Sequence, residues 1–370
     1  MNERYLDVPS IIKSGYYNSH KRIRWNTKQK EYDEFTNDLH RWLKSIKLTK
    51  EESEIFDIVF PSIYQNLSYY LSHVYDFYAL KDKNVTPIFS ERNFYFDSIW
   101  NEEPINKIHS IELEKNRFKW SWLRYLYSKV IIRVAKPFFN TAVISQNELT
   151  RAYLSNNKIS YLQLLPQYVF KINLKPTGKS KLLSKKIFLF LTSKIESRYF
   201  NLNIGNKQYM LLLIESFLAR VINDLDSYNG FLKGFRDVIN GTGGDYYNRL
   251  FSYLAHKEKL EVKRFDHGGE RCFFNDYVHW ENELYKVDSY YTYGRTHGKH
   301  IEFMAKRFST VINVYEIAPP HFEVNNNNSK QKNTKELGKV LYVPSSFVGE
   351  ARHFPYAKIT DVILFDFQKY

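Results

Sequence analysis

One cysteine, Cys272, in a chain of 370 residues excludes an internal disulfide framework and any zinc site built on paired thiolates. Such a chain suits a reducing compartment, and the cytoplasm is the expected location. No run approaches the roughly 20 apolar residues of a membrane span, and the opening MNERYLDVPSIIKSGYY lacks the apolar stretch of a secretory signal. The protein is therefore expected to be soluble or peripheral. Familiar signatures are missing too. There is no Walker A or GxGxxG loop, no H-E-x-x-H, no facial-triad spacing for His256, His279, His297 and His300, and no DxD pair in a loop. No metal is expected.

What is present is charge and aromatic bulk. Lys and Arg number 54 against 40 Asp and Glu, giving a formal charge of +14 that favours a polyanionic partner. Nucleic acid, an anionic membrane surface and a phosphate-bearing substrate all fit. Hydrophobic residues make up 43% of the chain, enough for one large domain or two sharing a cleft. The 30 Tyr and 28 Phe, with the many Asn and Lys, fit the drift of an AT-rich genome as well as a binding role.

Residues 30–84 repeat apolar side chains at three- and four-residue spacing and are expected to be helical, with Pro61 at a break or first turn. Residues 117–139 mix Trp120, Trp122, Tyr125, Ile131 and Ile132 with Lys119, Arg124, Lys129, Arg133 and Lys136. This basic amphipathic helix either lies on an anionic inner-membrane leaflet or packs in the core with its cations solvated. AVISQNE, LQLLPQYVFKINL and KKIFLFLTS read as strands, and Tyr209 to Asn223 as a buried helix. From Asp237 the order is strand DVIN, loop GTGG, helix DYYNRLFSYLAHKEK and strand LEVKRFD, a β-loop-α-β unit within an α/β sheet. Residues 1–318 are expected to form one α/β domain, largely helical over 1–140. The polar stretch 319–337 is a linker, and 338–370, opening with GKVLYVPSSF, begins a second Rossmann-like domain too short to close its own core.

Two constellations carry the chemistry. Gly241, Thr242, Gly243 and Gly244 precede a helix, where backbone N–H groups can approach an anion, although Asp245 as a cap and a tight turn explain the glycines equally. Arg264, Asp266, His267, Gly268 and Gly269 follow at a strand end, the edge where α/β folds bind ligands. His267 has the right unperturbed pKa for proton transfer, with Asp266 orienting it or holding Arg264; the alternative is a structural His at a turn. Glu281, Glu283, Asp288 and Gly294 come next. If ELYKVD spans the end of one element and the start of the next, Glu283 and Asp288 face one cleft as base and orienter; otherwise they are surface charges.

The order GTGG, RFDHGG, an acid with D-x-Y-x-T-x-G, then LYVPSS resembles surface-carbohydrate transferases of O-antigen and capsule synthesis, similar to capsule Kdo-transferase-like enzymes. The resemblance spans Asp237 to Arg352. It implies a GT-B arrangement in which a Rossmann-like acceptor domain with a helical N-terminal elaboration faces a nucleotide-sugar domain. It implies a glycosyltransferase of bacterial surface polysaccharide using a nucleotide-sugar donor, CMP-linked among the options, a glycan or lipid-linked acceptor, and no further cofactor. His267 and its glycines would line the cleft, Glu283 and Asp288 would supply or support the base, and Ser345, Ser346 and Arg352 would approach the donor phosphate. Tyr293 stands where Trp is expected, and no His-Pro dipeptide occurs. A chain that ends before its donor domain is complete is therefore expected, and the truncated chain is expected to turn over poorly. The rivals are a teichoic-acid-type polyol-phosphate transferase and a non-enzymatic polyanion or nucleic-acid binder. No recognisable nucleic-acid motif supports the second.

Overall fold

The computed structural model describes residues 2–5, 29–81, 85–88, 121–170, 175–266 and 277–317. The linker, residues 338–370, Ser345, Ser346, Arg352, His267, Gly268 and Gly269 lie outside the described residues. In chain order the elements are β1 (Asn2–Tyr5), α1 (Gln29–Ser45), α2 (Lys50–Lys81), β2 (Val85–Ile88), α3 (Ser121–Ala135) and a 3-10 turn (Lys136–Phe138). There follow β3 (Thr141–Val143), α4 (Glu148–Asn156), β4 (Tyr161–Gln163), α5 (Pro166–Val169), α6 (Gly178–Arg198), α7 (Ile204–Ser227), β5 (Asp237–Asn240) and α8 (Tyr246–Lys257). The last are β6 (Glu261–Phe265), α9 (Tyr277–Glu283), β7 (Ser289–Thr292), α10 (Arg295–Arg307) and β8 (Asn313–Glu316).

Strands β3 to β8 build one six-stranded, wholly parallel sheet in the order β4-β3-β5-β6-β7-β8. The chain is α/β, as expected, with a Rossmann-like alternation of parallel strands and helices. The strand order reverses between β3 and β5, so the loops leaving those two strands diverge from a common crevice, the usual ligand site of such sheets. Alternation along each strand assigns the faces. Val238, Val262 and Tyr290 point into the large core beneath α7, α8 and α10. Ile239, Phe265 and Tyr291 join Val143, Leu149 and Leu154 beneath α4. There Phe265, Tyr291 and Tyr315 stack across neighbouring strands at 4.5 and 5.0 Å.

The N-terminal helices share the large core with the sheet; Leu39, Phe60, Leu67 and Leu71 belong to the same buried cluster as Val238 and Leu250. Three segments depart from the sequence expectation. Of the described residues in LQLLPQYVFKINL, only Leu162 and Gln163 belong to a strand, β4, because Pro166 at the first turn opens the short helix α5. KKIFLFLTS is not a strand but the middle of α6, because a Thr177/Ser180 capping box starts a helix. Leu183, Ile187, Leu191 and Ile195 then bury one stripe at four-residue spacing while Leu182 and Leu189 face solvent. Pro61 neither breaks nor starts a helix. It lies buried inside α2, so the Asp57 carbonyl lacks its helical donor.

Asp237 opens β5 in a buried ion cluster, with Lys263 Nζ at 2.8 Å and Arg236 Nη2 at 3.0 Å from its Oδ2. Burial alone would raise the Asp237 pKa, but the hydrogen bonds, that of Lys263 foremost, outweigh it and hold the carboxyl below its ordinary value. A folded pKa below the unfolded one, about 3.9, contributes stability that is present above that value and lost as pH falls through the folded value. Asp237→Asn should therefore flatten the decline of the urea midpoint between about pH 5 and pH 2. An acid limb as steep as that of the parent would contradict the assignment.

Candidate functional site

Three helices of nine or more residues begin at the carboxyl edge of the sheet: α4 after β3, α8 after β5 and α10 after β7. Asn147 caps α4, accepting from Thr150 N at 2.8 Å. Its Nδ2 donates to the carbonyls of Gly241 at 2.8 Å, Phe265 at 3.1 Å and Asp266 at 2.8 Å, binding together the ends of β3, β5 and β6. Ser145 Oγ accepts from Gly241 N at 2.9 Å and donates to Asn248 Oδ1 at 3.1 Å. Asp245 caps α8 through Tyr247 N at 2.8 Å. Only α10, of these three, has no capping side chain: it starts at Gly294, whose φ of 153° and ψ of 174° suit glycine alone. Its first-turn N–H groups, with the positive end of the helix dipole, form an anion-receptive end.

The GTGG loop is held from below. Glu283, buried, accepts from Thr242 Oγ1 and from Gly243 N, both at 2.9 Å, so each of its oxygens already carries a hydrogen bond. Arg264 is fully buried beneath it, donating to the carbonyls of Asn282 at 2.9 Å and Glu283 at 2.7 Å and to Ser252 Oγ at 2.8 Å. Burial pushes its pKa down, with the Glu283 carboxylate opposing. Arg249 closes the loop from the far side. Its Nη1 donates to the carbonyls of Gly243 and Gly244 at 2.9 Å, its Nε to Ile58 O at 3.0 Å and its Nη2 to Ser62 Oγ at 2.9 Å. Burial lowers the Arg249 pKa to about 10, so the guanidinium stays charged at neutral pH.

These contacts redistribute the roles read from the sequence. Arg264 is a buried strut and presents nothing to a ligand. Gly243 is required by packing, because a Cβ there would overlap Arg264 Nη1 and the Asn282 carbonyl. Gly244, by contrast, is exposed, and a Cβ on it would meet only Thr242 Oγ1 at 3.6 Å. Glu281 pairs with Lys44 and, at 3.2 Å, with His40 Nε2, fastening α1 to α9. Burial opposes its ionisation, but these partners hold its pKa below the usual range.

Glu283 and Asp288 do not share a cleft. Glu283 reaches the loop that follows β5, whereas Asp288 immediately precedes β7 and accepts from Val262 N at 2.8 Å. In a parallel sheet these are opposite edges, about 13 Å apart for a four-residue strand. Asp288 partners His256 Nε2 at 3.1 Å instead, and His256 lines an open cavity of about 590 Å³ with Lys179, Tyr253, Lys257 and Lys286 at the amino edge. Glu283→Gln would place an amide N–H against a donor and should cost about 1–3 kcal/mol in denaturant unfolding while leaving any turnover of the folded protein within a few-fold. A stable Glu283→Gln protein with a rate at least about 100-fold lower would restore Glu283 as the base.

The sequence reading singled out Asp266 but gave His297 no role in proton transfer. Asp266, buried, ends β6, and its Oδ2 lies 2.8 Å from Nδ1 of His297, a buried residue in the first turn of α10. The contact is close but not in line, and His297 Nε2 has no partner among the described residues. Trp280, completely buried, sets its ring edge against His297 at 6.1 Å and against His300 at 5.2 Å. His300 titrates below its ordinary value, through burial and then the neighbouring His297. The Thr292 hydroxyl, buried at the end of β7, also lacks a partner among the described residues. The available signal was positional: a His two residues into a helix that opens on Gly294 at a strand end. Among the described residues, no three His, Cys, Asp or Glu side chains converge as a metal site would need.

Comparison with protein-family models, with curated proteins and with solved structures returns no match.

Proposed function

We propose that the chain is a glycosyltransferase-like enzyme of bacterial surface polysaccharide synthesis, with Asp266 and His297 as its acid–base pair. The observation that carries this reading is the buried Asp266–His297 contact on the first turn of α10, the uncapped helix of the three at the carboxyl edge. Transfer of a sugar from a nucleotide-activated donor needs two things at one place: a base for the acceptor hydroxyl and positive charge for the departing phosphate. Once the acceptor hydroxyl reaches Nε2 of His297, which is buried in this structure, that nitrogen takes its proton as the oxygen attacks the anomeric carbon. The anomeric C–O bond to phosphate breaks, its electron pair stays on the phosphate oxygen, and Asp266 stabilises the imidazolium. The N-terminus of α10, with Arg295 exposed at its first position, faces the phosphate charge. In the GT-B reading this sheet is the acceptor-side half, and a glycan or lipid-linked acceptor fits beside Ser145 and Gln146 at the strand reversal.

The test is nucleoside-phosphate release from UDP-, GDP- and CMP-linked sugars in the presence of glycan and lipid-linked acceptors. Release with one nucleotide-sugar class is expected. Turnover of a CDP-linked polyol instead would replace the reading with the polyol-phosphate transferase. Duplex DNA binding whose log affinity falls with log salt by about −0.9 per phosphate, with no release from any donor, would replace it with a nucleic-acid binder.

A further inference from the structure

Five large apolar side chains on one short stretch face solvent, four of them in a single row with Ile131 beside it. Leu126, Val130 and Val134 in α3 and Phe138 in the following turn are 50, 63, 65 and 78% exposed. Their four-residue spacing keeps them on one side of the segment, as a continuous stripe of the kind that marks an interaction surface. Lys129 and Arg133 repeat the spacing alongside, and Lys136 continues the row. These three cations, with Asn140, Asn229 and Phe231, line an open cavity of about 620 Å³ whose described lining contains no carboxylate. Lys136 is partly buried there. Burial lowers its pKa, Glu258 partly restores it and Lys233 lowers it again, so a bound anion would relieve its surroundings. No helix among the described residues is long and apolar enough to cross a membrane.

An apolar stripe, a parallel row of cations and a cavity without acid in its described lining together fit one occupant, a leaflet of anionic phospholipid. We propose that α3 and its terminal turn lie flat on such a leaflet. Leu126, Val130, Val134 and Phe138 enter the acyl boundary, while a phosphodiester headgroup sits in the cavity against Lys129, Arg133 and Lys136. A soluble phosphate leaves the apolar stripe without a role, and a nucleic acid would cover it at a loss. The inference goes beyond the transfer reading and uses no residue of the Asp266–His297 site, so vesicle binding and turnover fail separately.

The test is flotation of the full chain with vesicles of phosphatidylcholine, with and without phosphatidylglycerol. Partition into the anionic vesicles should exceed that into the neutral ones by at least about tenfold. Lys129→Glu with Arg133→Glu should lower it by about 30-fold or more. Val130→Glu with Val134→Glu, at mostly exposed positions where the fold survives, should lower it at least about tenfold; an unchanged circular dichroism spectrum would confirm that survival. Equal partition into both vesicle types, or anionic binding indifferent to the valine substitutions, would overturn the proposal. So would displacement by inorganic phosphate, or binding of a duplex oligonucleotide in place of vesicles.

Discussion

His297→Gln is expected to lower turnover by about 10²–10⁴-fold, the usual contribution of a positioned general base, with denaturant stability changed little. Glutamine keeps a planar polar group of similar reach but accepts no proton at neutral pH. The contrast is His256→Gln. His256 also contacts a carboxylate, Asp288, and lines an open cavity, yet it lies at the amino edge, away from the uncapped α10. Its substitution should leave the rate within a few-fold. If His256→Gln abolished turnover and His297→Gln did not, the amino-edge cavity would be the site. Asp266→Asn completes the set: the ring keeps a neighbour at 2.8 Å but loses the carboxylate charge that faces it, so turnover should fall while the fold stays intact.

Gly243→Ala should be the most destabilising single-methyl change in the carboxyl-edge loops. The added Cβ would overlap Arg264 Nη1 and the Asn282 carbonyl oxygen and would stand 2.7 Å from Glu283 Cα. Two of those three neighbours are backbone, and Arg264 is pinned by three hydrogen bonds, so none can retreat cheaply. Overpacking of this kind costs about 1–3 kcal/mol, and the upper end is expected here. Gly244→Ala, one residue on and open to solvent, should stay within about 0.5 kcal/mol. Equal midpoints for the two variants in a denaturant titration would show that the loop rests elsewhere.

The stretch from Asp237 to Phe265 was legible because its cues are local. An apolar run ends in glycines, an Asp sits at the cap position, and a helical period follows. The strand KKIFLFLTS failed for the opposite reason. Its apolar run looks extended, and only the burial of every fourth residue, with Leu182 and Leu189 left in solvent, marks it as helix. The order of strands was not legible, since β3 pairs with β5 across more than 90 residues of intervening chain. Nor were the partners of the charged residues. Glu283 reads as a base until the loop amide that occupies it is placed nearby, and Asp266 finds His297 only because β6 and β7 pair side by side. The resemblance put its cleft residues at the end of β6, where Asp266 lies, but its central His267 falls outside the described residues.

Arg249 bears on how the protein comes apart. One guanidinium spans the glycine loop and the turn of α2 that contains Pro61, with no water-exposed intermediary. A fluctuation that lifts α2 leaves a buried cation and two loop carbonyls unmatched together, so the helix and the loop share one opening energy. The loop amides then exchange with solvent on the slow clock of α2, and the long first helices act as the latch that keeps the sheet's upper edge from fraying.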